Sequence, residues 1–149
     1  MYTHRFTVDA PLERVAKFHH STAALKQLTP PPIYVQLIDI EPLGEGSRSE
    51  FTLWFGPLPI RWVAIHSEVD PQHGFVDTQT SGPYKFWRHR HTFRATTPQT
   101  TEIIDEVQAA PAEQLFWGLV SRTIWLTLPL LFAYRAYATR KAVEKAGRA

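Results

Sequence analysis

Residues 115–137, LFWGLVSRTIWLTLPLLFAYRAY, are apolar on nearly every side of a helix, and the charged segment KAVEKAGR follows them. The pattern predicts one long helix from about residue 112 to residue 145. About 20 apolar residues suffice to cross a bilayer, but the run is interrupted by residues that disfavour a span; these are Gly118, Ser121, Arg122, Thr123, Thr127 and Pro129. A helix that is apolar on most of its surface can instead be covered by a curved sheet. We therefore expect a core helix and no transmembrane span, with Pro129 kinking or loosening it.

The sequence upstream of this helix predicts the sheet that covers it. Between residues 33 and 109, six short runs rich in β-branched and aromatic residues alternate with turns containing Gly, Pro or Asp. YTHRFTVDA predicts an opening strand, and PLERVAKFHH and STAALKQL predict two short helices, the first capped by Asp9. The predicted class is α+β in the order β-α-α-β6-α. This is the helix-grip arrangement, in which a curved, seven-stranded antiparallel sheet wraps around the last helix in one domain over residues 1–149.

Composition narrows the class of protein and its compartment. Of the 149 residues, 44% are hydrophobic and 13% aromatic, which predicts a globular chain with rings for a core or an apolar cavity. The net charge of +2 gives no basic stripe, so we expect no nucleic-acid partner. The chain has no cysteine, and its N-terminus has no apolar signal segment, so we expect a cytoplasmic protein.

The segment GPYKFWRHRHTF, residues 82–93, carries the most unusual chemistry. Strand alternation places Trp87, His89, His91 and Phe93 on one face and the arginines on the other. If the TTPQT turn closes the next hairpin, His91 lies opposite Asp105 and Phe93 opposite Ile103. Similar reasoning pairs His66 with Asp77 and Ala64 with Gln79, and sets Asp77 and Phe75 beside Trp87 and His89.

These pairings predict a single inward face that mixes aromatic, imidazole and carboxylate groups. Its members are Phe51, Leu53, Trp62, His66, Phe75, Asp77, Gln79, Trp87, His89, His91, Phe93 and Asp105. Arg122, a charge within the apolar helix, would either anchor a ligand anion from the sheet side or extend to solvent. The sequence leaves open four interpretations of the histidine face: a metal site, a catalytic site, the polar lining of a pocket in which His66–Asp77 and His91–Asp105 satisfy each other, or a solvated surface. The chain has no compact metal motif, so we predict no metal and no cofactor.

Four segments resemble a known family. LTPPP, FTLWFGPLPIRWVAIH, GFVDTQTSGPYKFWRHRHTF and DEV are similar to successive motifs of the ligand-binding SRPBCC family in the START-related superfamily, which includes polyketide cyclase/dehydrase-like proteins. The resemblance runs from about Phe6 to Tyr137. It implies the helix-grip fold strongly and a function only weakly, because members include lipid carriers, hormone receptors and cyclases. Related domains also occur fused to sugar-epimerase-like domains.

Three functions follow as expectations. The first is binding of an apolar or amphipathic small molecule, lipid-like or polyketide-like, between the sheet and the last helix. The alternative is a cyclase or dehydrase in which His66, His89 or His91 works with Asp77 or Asp105 as general acid and base. The third is an interaction protein that uses an exposed apolar side of the helix to contact a membrane surface or to form a homodimer rather than remain a monomer.

Overall fold

The computed structural model describes residues 1–21 and 24–146, so residues 22 and 23 of the second predicted helix lie outside the described residues. The observed elements follow the predicted order, and the predicted fold class is confirmed. They are β1 (Tyr2–Val8), α1 (Leu12–His20), α2 (Ala24–Gln27), β2 (Tyr34–Ile40), β3 (Arg48–Phe55), β4 (Leu58–Asp70), β5 (Gly74–Ser81), β6 (Tyr84–Thr97), β7 (Thr100–Pro111) and α3 (Leu115–Ala146).

The seven strands form one antiparallel sheet in the order β1-β7-β6-β5-β4-β3-β2. β2 to β7 form a meander, and β1 joins it by pairing with β7. The predicted hairpin registers of His91 with Asp105 and of His66 with Asp77 are both confirmed. The alternation of each strand therefore brings the predicted histidine face together across four neighbouring strands.

The predicted register of β5 against β6 is wrong by two residues. Asp77 lies opposite His89, and Phe75 lies opposite His91. The connection is wider than a tight turn, because the side chain of Gln79 takes the place of a backbone partner. Its Nε2 donates to the carbonyl of Tyr84 at 2.8 Å, and its Oε1 accepts from the Tyr84 N–H at 3.2 Å. A shift of two residues keeps every side chain on its face.

α3 rests on the sheet through one side of its surface. Leu128 and Phe132 are fully buried and pack against Trp62, Trp87 and Val107 of the strands. Burying each such side chain contributes roughly 1.5–3 kcal/mol. The helix continues through Pro129, which lies on the exposed side.

By length and composition alone, α3 is apolar enough over Leu115–Glu144 to cross a membrane. Only 22% of its most apolar window is buried. A core helix of a soluble protein can meet the same criterion. The expectation that the chain has no membrane span therefore stays a prediction.

The first helix begins differently from the sequence expectation. Its N-cap is Pro11, whose carbonyl accepts from the N–H groups of Arg14 and Val15, and no side chain caps it. Asp9 is therefore not the cap; its own N–H donates to Glu144 of α3 at 3.0 Å. Pro11 is extended, with φ −67° and ψ 152°, which is the usual backbone conformation of an N-cap residue.

Candidate ligand-binding site

A pocket of about 530 Å³ lies between the sheet and α3, closed at one end by α1 and α2. Its lining is mostly apolar. Residues from eight elements contribute to the wall, among them Leu25, Leu28, Phe51, Leu53, Trp62, Ala64, Phe75, Trp87, Ile124, Leu130 and Leu131. A volume of this size is within the usual range for a small-molecule site.

Aromatic rings of β3, β4 and β6 form one wall of the pocket. Trp62 and Trp87 meet edge to face with centroids 5.3 Å apart, and both are buried. Phe51 lies opposite Trp62 in the β3–β4 ladder and stacks on it at 6.2 Å. Edge-to-face and offset geometries are favourable for aromatic pairs. The rings hold one another in place and leave flat apolar surface facing the pocket.

Two histidines and two aspartates form a network on neighbouring strands β5, β6 and β7. His91 Nε2 donates to Asp77 Oδ2 at 2.7 Å, and His89 Nε2 donates to Asp105 Oδ1 at 2.9 Å. His91 Nδ1 also lies 3.4 Å from Asp105 Oδ1. The centroids of the two imidazole rings are 3.8 Å apart, and Phe75 stacks on His91 with centroids 4.3 Å apart. His89 Nδ1 keeps its lone pair, 3.9 Å from Asp77 Oδ2.

The network shifts the pKa values of its members in opposite directions. Burial alone would lower the pKa of His91, but hydrogen bonds with Asp105 and Asp77 outweigh it and raise the pKa to about 9. Burial lowers the pKa of His89, and the neighbouring charge of His91 lowers it further. Burial would raise the pKa of each aspartate, yet the histidines hold that of Asp77 at about 2 and that of Asp105 well below its usual range. At neutral pH, His91 is therefore charged, His89 neutral and both carboxylates ionised.

The predicted His66–Asp77 pair does not form a hydrogen bond, although the two residues face each other in the ladder. His66 Nδ1 lies 3.0 Å from the hydroxyl and 3.2 Å from the carbonyl of Ser47 instead. Asp77 accepts a hydrogen bond from His91 instead, which lies on β6, the other neighbour of β5 in the sheet. Burial lowers the pKa of His66, so the ring is neutral at neutral pH.

Most of the predicted ligand-binding residues line the pocket, and four do not. Those on the wall are Phe51, Leu53, Trp62, His66, Phe75, Asp77, Trp87, His89 and His91. Asp105 is buried behind the histidines, and Phe93 belongs to the core beside Val8 and Val15. Gln79 closes the β5–β6 connection. Arg122 lies on the exposed side of α3 beside a smaller pocket, so it is not an anchor in the main one.

Sequence reasoning did not place eight polar residues of the lining in the pocket; they are His19, His20, Ser21, Thr29, Glu41, Ser49, Thr127 and Arg135. Arg135 of α3 lines the pocket one turn after the buried Phe132, with its guanidinium carbon 5.3 Å from that ring. His19 at the end of α1 donates from Nδ1 to the Val15 carbonyl at 2.9 Å, and burial lowers its pKa to about 4. Leu128, Phe132 and Arg135 share one side of α3 at the spacing i, i+4 and i+7. No signal in the sequence marked this side, because α3 is apolar nearly all round.

The three groups Asp77, His89 and His91 also offer the geometry for a metal ion. One ligand atom from each lies within 4.8 Å of the other two. Binding a metal there would require His91 to lose its proton, however, and both nitrogens of His91 face carboxylates. The prediction of no metal therefore remains our expectation for this cluster.

The outer side of α3 is strongly apolar. Leu115, Leu119 and Leu126 are between 66% and 92% exposed. Exposed apolar groups in such a row are typical of a contact surface. The expectation that this side meets a membrane or a second copy stays a prediction.

The chain matches no family model and no curated protein. Solved structures share its fold along almost its full length. The Zhui aromatase/cyclase from Streptomyces sp. R1128 is 14% identical with a TM-score of 0.76, over 99% of this chain and 95% of that chain. A point mutant of norcoclaurine synthase from Thalictrum flavum, in complex with a transition-state analogue, is 18% identical with a TM-score of 0.72, over 98% and 94%.

A longer protein contains the same unit. The nucleoside-diphosphate sugar epimerase from Corynebacterium glutamicum is 25% identical with a TM-score of 0.72, and the match covers 99% of this chain but only 30% of that chain. Together these likenesses establish the class: the chain has the helix-grip fold of the SRPBCC-like proteins, as the resemblance of its motifs implied.

Proposed function

We propose that the protein binds a hydrophobic or amphipathic small molecule in the pocket between the sheet and α3. The observation that carries this proposal is the pocket itself, with about 530 Å³ enclosed by tryptophan, phenylalanine and leucine side chains. Apolar surface transferred from water contributes roughly 25 cal/mol per Å², so a fused-ring or acyl ligand gains its affinity from this wall. The fold is one in which norcoclaurine synthase holds a transition-state analogue.

The pocket lining has an apolar part and a polar part. Leu53, Trp62 and Ala64 belong to a hydrophobic cluster, whereas His19, His91 and Arg135 are close enough to affect one another electrostatically. A ligand with an apolar body and one polar group matches this division. The polar side chains then fix the orientation of a molecule that the aromatic wall holds.

The proposal is tested by extracting the purified protein and identifying bound molecules by native mass spectrometry. Binding of 2-isopropenylnaphthalene, followed by quenching of tryptophan fluorescence, gives a direct measurement. We expect Leu53→Trp, which fills the pocket, to weaken binding at least about tenfold. Ile38→Trp is the matched control, because Ile38 is 51% exposed and outside the pocket. Equal affinities in the two variants would reject the pocket as the binding site.

A second candidate function is acid–base catalysis on a bound carbonyl compound, and the opposite pKa shifts of His89 and His91 favour it. Paired groups whose environments separate their pKa values define a base and an acid. Neutral His89 would use the lone pair of its Nδ1 to take a proton from the carbon atom beside the ligand carbonyl. The electrons of that C–H bond form the C=C of an enolate, and the positive charge of His91 stabilises the enolate through space. Asp105 and Asp77 offset the charge of the imidazolium that forms on His89.

Exchange of the methyl protons of 2-acetylnaphthalene in D₂O, followed by proton NMR, tests this second candidate. We expect the protein to accelerate the exchange and His89→Gln to remove the acceleration. Arg122→Met, on the outer side of α3, is the control and should keep it. A rate no greater than that of the same concentration of free imidazole would exclude the second function and leave the binding proposal standing.

A further inference from the structure

His20 and Arg135 both line the pocket, and each has a buried side-chain nitrogen without a hydrogen-bond partner in the described residues; Arg135 is the charged one of the two at neutral pH. Its Nε is buried and has no hydrogen-bond partner in the described part of the chain. The side chain packs over Phe132, and the carboxylates of Asp105 and Asp77 attract it only through space. Burying a cation or a donor without a partner is costly. Because the Arg135 side chain lines the pocket and its guanidinium is incompletely satisfied by the protein, it is suited to donate to an acceptor on a ligand.

The charged groups around Arg135 decide which kind of hydrogen-bond acceptor on a ligand the pocket favours. Asp77 and Asp105 are negative, and His91 and Arg135 are positive, so the four groups sum to zero. The other imidazoles at the pocket have lowered pKa values and are neutral at neutral pH; they are His19, His20, His66 and His89. Glu41 at the pocket is exposed and accepts from the Arg48 N–H.

A ligand carboxylate would therefore bring an uncompensated negative charge close to two buried carboxylates. A neutral carbonyl oxygen satisfies the guanidinium N–H and leaves the sum unchanged. We infer that Arg135 is a specificity-determining residue that binds the carbonyl oxygen of an otherwise apolar ligand. This inference rests on the proposed binding function and adds to it the class of ligand, an apolar ketone, aldehyde or quinone.

Three probes of nearly equal size test the inference: 2-acetylnaphthalene, 2-isopropenylnaphthalene and 2-naphthoate. They carry a carbonyl, no oxygen and a carboxylate, respectively. Affinities for the natural protein, Arg135→Met and Arg135→Lys are measured by tryptophan quenching. Arg135→Met removes the buried charge at similar volume and is expected to fold. Arg122→Met serves as the matched control on the exposed side of α3.

We expect the ratio of the hydrocarbon Kd to the ketone Kd to fall about tenfold in Arg135→Met, since a hydrogen bond from a charged donor is lost. Arg135→Lys should keep part of the preference, and Arg122→Met all of it. The natural protein should bind 2-naphthoate more weakly than the ketone. The carbonyl stretching band of bound 2-acetylnaphthalene should lie at lower frequency in the natural protein than in Arg135→Met, which a merely structural role of Arg135 would not produce.

Each other outcome has a definite meaning. An unchanged ratio and carbonyl band in Arg135→Met overturn the inference while hydrocarbon binding keeps the proposed function. Tighter binding of 2-naphthoate than of the ketone also overturns it, because the acceptor is then an anion. If none of the three probes binds, the proposed function fails, and the inference fails with it.

Discussion

The rings of His89 and His91 lie 3.8 Å apart on one strand, yet their pKa values are shifted in opposite directions. Asp105 accepts from His89 and lies 3.4 Å from His91 Nδ1, but only His91 donates to Asp77. Two buried imidazoles this close cannot both hold a charge without repulsion. The hydrogen bond to Asp77 of β5 therefore makes His91, and not His89, the charged histidine.

The first prediction concerns the proton on His91. Its folded-state pKa of about 9 lies above the ordinary value of 6.5, so its charge stabilises the fold fully below pH 6.5, and this stabilisation is lost as the pH rises through about 9. NMR titration of the histidine ring protons should show His91 charged and His89 neutral at neutral pH. Asp105→Asn should lower the pKa of His91. A value at or below the ordinary one in the natural protein would contradict the network.

The second prediction concerns Gly74, which lies where β5 passes closest to β6. Its φ is 132°, and a Cβ there would lie 1.9 Å from the carbonyl oxygen of His91. We expect Gly74→Ala to lower the free energy of unfolding by about 2–4 kcal/mol and to shift the NMR signals of His91. Gly44→Ala is the control, because a Cβ there meets nothing within 4 Å. Equal stability of the two variants in urea would show that the strands do not pass this closely.

The third prediction tests how α3 sits on the sheet. Phe132 is fully buried, whereas Leu126 on the same helix is 79% exposed. We expect Phe132→Ala to cost about 3–5 kcal/mol of unfolding free energy, because it leaves a cavity. Leu126→Ala should change it by less than about 0.5 kcal/mol. The reverse order in denaturant unfolding would mean that the helix presents its other side to the sheet.

The fourth prediction concerns metal at the cluster of Asp77, His89 and His91. The hydrogen bonds of His91 leave it charged and without a free lone pair, so we expect EDTA treatment to leave the affinity for 2-acetylnaphthalene unchanged. Titration with Co²⁺ should give no visible absorption from a protein-bound ion. A visible band that His91→Gln abolishes would show that the cluster is a metal site.

Sequence pattern predicted much of this molecule, because strand alternation and turn residues act locally. The facing of His91 with Asp105 followed from counting back from one hairpin turn, and it was correct. The β5–β6 register was wrong because a glutamine side chain, rather than the turn alone, closes that connection. The expected His66–Asp77 hydrogen bond does not form. The strand register determines which residues are neighbours, but it does not determine which of two neighbouring histidines donates to Asp77.

The sequence alone determined the order of elements, the apolar character of α3, and the shared face of His89 and His91. Each of these follows from residue type and spacing within a single segment. Packing decided which side of α3 faces the sheet, and therefore whether Arg122 or Arg135 lines the pocket. A helix that is apolar on all sides carries no periodic signal for its own rotation. Only the fit of Leu128 and Phe132 against the sheet sets that rotation, and it places Arg135 in the pocket and Arg122 outside.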